Sequence, residues 1–135
     1  MKREMRKSKT EVEIIRNEKV NLIVNKTFSF ALEVMDYSEK LRLLHKYEMA
    51  SQLFKSGNSI GANTWEAQNT ESNADFIHKF KIAAKEADEA NYWLKLFTAS
   101  KHYPDPPLDI ETELKSIILI ISKLSVVVKN VDFRI

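Results

Sequence analysis

Asp75 and His78 stand three residues apart, the spacing at which one helix face offers a carboxylate and an imidazole to the same metal ion. Di-iron helical bundles need such a pair twice, together with two further inward-facing glutamates. The residues three before His45 and His102 are Arg42 and Ala99, so there is no second copy. The pair reads as surface groups at a helix start, and no metal is expected. Gly57 and Gly61, in the string SGNSIGAN, invite comparison with a phosphate cradle. That string lacks the Gly-Lys-Ser/Thr ending of a P-loop and no β-run precedes it. No serine, histidine and acid arrangement marks a nucleophile with an oxyanion hole, and Glu66, Glu86 and Glu89 read as ion-pairing acids. The sequence therefore predicts a protein that is not an enzyme and needs no cofactor.

Attraction for phosphate is the chemistry with more support. Residues 1–9 hold Lys2, Arg3, Arg6, Lys7 and Lys9 against Glu4, a net +4 that leaves −2 on the rest of the chain. Lys79, Lys81 and Lys85 follow one another along a single later segment. Phosphate binding sums over such charges, so these eight residues are the candidate nucleic-acid contacts. Trp65, Tyr92 and Trp93 have flat faces on which bases stack. Their placement at or near apolar positions of helical segments makes all three, Tyr92 included, core or interface anchors instead.

The elements that carry these residues are helices. Two glycines and three prolines in 135 residues are too few for the turns an all-β domain demands. With no cysteine, neither a disulfide framework nor a cysteine zinc site is available, and a reducing, cytoplasmic setting is the default. The opening MKREMRKSK has no apolar stretch behind it, and the longest apolar run, Ile117 to Ile121, is far short of a membrane span. A soluble protein is expected.

Residues 1–18 alternate in charge without an apolar stripe and read as a flexible basic arm. The first helix is expected over about 21–46, with Ile23, Thr27, Phe30, Val34, Tyr37, Leu41 and Leu44 at alternating spacings of four and three. Val20, Val24, Phe28, Ala31 and Met35 form a second stripe beside it. The second helix, about 47–68, carries Ala50, Leu53, Gly57, Ile60, Thr64 and Ala67. Each glycine costs a helix roughly 1 kcal/mol relative to alanine, which close approach of a neighbouring helix would offset. Leucine at either position is then expected to overpack.

Ser72-x-x-Asp75 has capping-box spacing and predicts the third helix over about 73–101. Its seam runs from Phe76 and Phe80 through Ala83, Ala87 and Ala90 to Leu94 and Phe97, so a neighbour packs closest at the alanines. Asp105 followed by Pro106 and Pro107 predicts a fourth helix over about 106–131. Its seam is Ile110, Leu114, Ile117, Ile121, Leu124, Val128 and Val131, and Ile118, Ile120, Val126 and Val127 lie beside it. So much apolar surface exceeds the needs of one bundle and predicts self-association. Trp65, Trp93, Ile118, Ile120 and Val127 are the expected interface. The fold class expected is an all-α, antiparallel, up-down-up-down four-helix bundle.

The string SIGANTWEAQNTESNADFIHKFKIAAKEADEANYWLKLF, residues 59–97, resembles the signature of small four-helix bundle proteins encoded in intervening sequences of bacterial 23S ribosomal RNA genes. Asn21-Leu22-Ile23 and Phe30-Ala31-Leu32 resemble that family too. Ala67-Gln68 after Glu66 departs slightly from its pattern. The resemblance implies a homo-oligomer, a closed ring of five. It also implies a relationship to the accessory protein of diversity-generating retroelements, which works with a reverse transcriptase and its RNA. The function expected is a non-catalytic oligomeric adaptor for RNA or an RNA–protein complex, with a protein-binding scaffold as the alternative.

Overall fold

The computed structural model describes residues 8–129. Four helices follow one another: α1 (Lys9–Leu43), α2 (Tyr47–Ala67), α3 (Asn73–Ala99) and α4 (Ile110–Lys129). Neighbours pack in cyclic order, α1 on α2, α2 on α3, α3 on α4 and α4 on α1. Consecutive helices joined by short connections run antiparallel, and the result is the up-down-up-down bundle.

The four seams meet along the bundle axis. Ile23, Phe30, Val34, Tyr37 and Leu41 of α1 are buried, as are all seven seam residues of α3 and Ile110, Leu114, Ile117, Ile121 and Leu124 of α4. Thr27 and Thr64, which fill apolar steps of the α1 and α2 seams, face one another with their hydroxyls 3.1 Å apart. Thr27 also donates to the Ile23 carbonyl and Thr64 to that of Gly61, so neither hydroxyl is buried without a partner.

Several boundaries differ from the sequence expectation, each for a local reason. Residues 9–18 belong to α1 and not to a flexible arm. Ser8 caps the helix, its Oγ accepting from the Glu11 N–H at 3.1 Å while Glu11 Oε2 accepts from the Ser8 N–H at 3.3 Å. This is a reciprocal capping box. Once the buried part of α1 exists, each added residue needs only the favourable propagation step. The overhang therefore forms with Thr10, Glu11, Glu13, Asn17 and Glu18 exposed.

At its other end α1 stops at Leu43 rather than about 46. His45 takes a left-handed φ of 61°, and the N–H groups of His45 and Lys46 bond to Arg42 O and Leu41 O at 2.9 and 2.8 Å. That is a Schellman stop, and it leaves the expected seam residue Leu44 exposed.

Helix α4 begins at Ile110 and not at 106. A residue preceding proline is pushed from the α region toward extended backbone, so Pro106, followed by Pro107, is a poor first helical residue. The first turn instead hangs on Pro107 O and Asp109 O, which accept from the N–H groups of Ile110 and Glu113 at 3.1 and 2.9 Å. The connection is pinned by the Tyr37 hydroxyl, which donates to Pro104 O, and by Tyr103 stacked on Phe97 at 5.0 Å. Burial first, then the Asp105 carboxylate, raises the Tyr37 hydroxyl's pKa far above its ordinary value, so it stays a donor. Val131 lies outside the described residues.

Candidate nucleic-acid interface and apolar groove

Successive residues of an α-helix are turned by 100°, so three lysines close in sequence need not be close in space. Lys79 lies on the α2 side of α3, and its Nζ pairs with Glu66 Oε2 at 2.8 Å. That ion pair joins two helices and gives Lys79 a carboxylate partner. Lys81 and Lys85 lie on the outward side, exposed, and neither makes an ion pair with any described residue. On the same face, three and four residues apart, stand His78, Asp88, Tyr92 and Lys95. Lys95 escapes a reading that looks for runs of lysine, although its heptad spacing to Asp88 is visible in the sequence.

Lys2, Arg3, Arg6 and Lys7 lie outside the described residues. Lys9 opens α1, and its side chain is likewise outside them. Asp75 and His78 are both exposed at the start of α3, where the Asp75 N–H donates to Ser72 Oγ at 3.1 Å. No group of three or more His, Cys, Asp or Glu among the described residues is arranged to hold a metal ion.

The glycines of α2 face α1 at two different distances. A Cβ at Gly57 would lie 2.8 Å from both methyls of buried Val34. At Gly61 it would meet the Thr27 carbonyl oxygen at 3.5 Å, an ordinary contact. Ala83, Ala87 and Ala90 are fully buried in the middle of α3.

On the outer side of the α1–α2 pair runs a groove of about 340 Å³ whose walls include Val24, Phe28, Ala31, Gly61, Ala62 and Trp65. Phe28 and Trp65 are 61% and 59% exposed, and Leu32 and Met35 extend the apolar strip along α1. The other expected interface residues sit differently. Trp93 is half-buried with its Nε1 buried and unpartnered among the described residues. Ile118 and Ile120 are part-buried and pack against the core, and the apolar side chains that α4 exposes most are Leu119 and Val126. The Val127 side chain lies outside the described residues.

Between α1 and α4 the charges are mainly acidic. Lys26 reaches Glu113 at 3.6 Å, while Glu33 faces Glu113, Asp109 and Asp36. Its Oε2 is buried without a hydrogen-bond partner among the described residues. Burial, then repulsion from those three carboxylates, raises its pKa above the ordinary glutamate value.

Residues 19–127, essentially the whole bundle, match the family described as 23S rRNA-intervening sequence protein. The chain belongs to that family. It is also similar to the crystal structure of a protein of unknown function from the S23 ribosomal protein family of Bacteroides thetaiotaomicron VPI-5482. The two share 32% identity and a TM-score of 0.60, over 82% of this chain and 95% of the other. No curated protein matches the sequence. No helix among the described residues is long and apolar enough to cross a membrane.

Proposed function

We propose that this 23S rRNA-intervening sequence protein is a non-catalytic, oligomeric adaptor that associates with RNA. The observation that carries the reading is the outward face of α3, where Lys81, Lys85 and Lys95 are exposed and free of ion pairs among the described residues. Each such lysine neutralises a phosphate and releases a counterion. One subunit offers too few for tight binding, and oligomerisation multiplies them. The apolar groove and strip on α1 and α2 provide the surface for a second copy. Because they lie on a different side of the bundle, assembly there leaves the α3 lysines open. The groove offers little for catalysis, since its wall is almost wholly apolar and the Thr27 hydroxyl is already engaged with Ile23 and Thr64.

A protein-binding scaffold is the second reading, and Phe28 and Trp65 favour it. Two large exposed apolar rings flanking one groove also suit a partner helix. Fluorescence anisotropy with labelled RNA across a salt series separates the two readings. The adaptor reading expects binding at low salt that weakens steeply as salt rises; the scaffold reading expects none.

A further inference from the structure

The exposed face of α3 holds more than cations. His78, Lys81, Lys85, Asp88, Tyr92 and Lys95 repeat at intervals of three and four and are all exposed, so they form one line along the helix. Lys81 to Lys95 spans fourteen residues, about 21 Å at the α-helical rise. Tyr92 sits within that line, 57% exposed. Its ring meets Trp93 edge-on, with centroids 5.3 Å apart and planes at 61°, and Trp93 in turn packs against the core. The tyrosine is thus propped from one side while much of its ring stays in solvent.

We infer that this face binds unpaired RNA, with Tyr92 stacking on a base and Lys81, Lys85 and Lys95 holding the phosphates on either side. The inference rests on the RNA-adaptor reading and narrows it from RNA in general to single strands. An aromatic ring binds a base only when that base's face is available, and in a duplex the faces are stacked away. Asp88, one helical turn before Tyr92, argues the same way. A carboxylate repels phosphate, so it weakens a surface meant for a duplex backbone. It accepts N–H donors from the Watson–Crick edge of a base, and those donors are free only in an unpaired strand. A line about 21 Å long accommodates a few nucleotides per subunit.

The test uses the full chain and two fluorescein-labelled probes, a 12-nucleotide RNA of mixed, unstructured sequence and the 12-base-pair RNA duplex containing it. Anisotropy titrations are run in low salt. The single strand should bind about tenfold more tightly than the duplex, Tyr92→Ala should weaken single-strand binding about tenfold, and Tyr92→Phe should restore it. Duplex binding should be the same in all three proteins. Tyr92 is exposed, and circular dichroism should confirm that both variants retain the fold. Equal affinity for the two probes, or single-strand affinity unchanged by Tyr92→Ala, overturns this inference and leaves the adaptor reading standing. Binding of neither probe overturns both.

Discussion

Alanine at Gly57 and alanine at Gly61 should change stability in opposite directions, although the two sites are one turn apart on the same helix. At Gly57 the new Cβ would lie 2.8 Å from Val34 Cγ1 and Cγ2 and 3.2 Å from its Cβ. Carbon atoms rest comfortably at about 3.5–4.0 Å, so the deficit is more than half an ångström at two atoms at once. Val34 is fully buried and β-branched, with one strongly preferred χ1 in a helix. Rotating it trades one methyl clash for another, so the relief must come from separating α1 and α2. Overpacking of this kind costs about 1–3 kcal/mol, against about 1 kcal/mol gained by replacing a helical glycine. The net expectation is a loss of about 1 kcal/mol. At Gly61 the nearest atoms are Thr27 O at 3.5 Å and Thr27 Cβ at 3.6 Å. There the helix gain stands unopposed, and Gly61→Ala should stabilise by about 0.5–1 kcal/mol. Urea melts with matched slopes measure both changes. In a Val34→Ala background both methyl clashes go and only the 3.2 Å approach to the residue-34 Cβ remains, so Gly57→Ala should cost clearly less there than in the parent. Equal stability of the two single variants, or no coupling between positions 34 and 57, would refute the reasoning.

Other expectations follow from single groups. His45→Gly relieves the left-handed backbone at the α1 stop and should raise stability by up to about 1 kcal/mol. The gain is partly offset by the freer unfolded chain, and urea melts read the balance. Glu33, with its pKa raised in the fold, binds its proton more tightly when folded, so its contribution is unfavourable at neutral pH. That penalty fades as pH falls through the raised pKa. Glu33→Gln should therefore stabilise at pH 7, and its advantage over the parent should vanish below the ordinary glutamate range. Thermal melts across pH 3 to 8 check the sign. The assembly proposed through α1 and α2 predicts a scattering mass above the 15.7 kDa of one chain. Phe28→Ser combined with Trp65→Ser should lower that mass. A single-chain mass for the parent at micromolar concentration contradicts it.

The bundle was legible in the sequence because its signal is periodic and long. Four seams at alternating spacings name the buried residues almost without exception, and Ser72 caps α3 as its S-x-x-D spacing suggests. What escaped lies where one local rule overrides another. Ser8-x-x-Glu11 carries the same kind of cap signature, but without an apolar seam behind it the segment reads as a tail. The run of prolines resembles a helix start until the restriction on residues preceding proline is applied to Pro106. At the candidate site, Lys79 joins Lys81 and Lys85 only along the chain. Its partner Glu66 lies across the α2–α3 connection, and only packing reveals that pairing. The partial burial of Ile118 and Ile120 is likewise a matter of which neighbours surround α4.

The salt dependence of RNA binding tests the central claim most directly, measured on the parent chain beside Lys81→Gln/Lys85→Gln. Both side chains are exposed and off the core seam, so the double variant should fold and assemble as the parent does. For a single-stranded RNA, log K should fall linearly with log salt, with a slope of about −0.7 per phosphate neutralised. Losing two contacts per engaged subunit should flatten that slope by roughly 1.4 for each such subunit and weaken low-salt binding. Removing residues 1–7, which leaves the Ser8 cap in place, should flatten it further. Parallel lines for parent and double variant, or no binding at low salt, would contradict the account and leave the groove beside Phe28 and Trp65 as the surface to pursue.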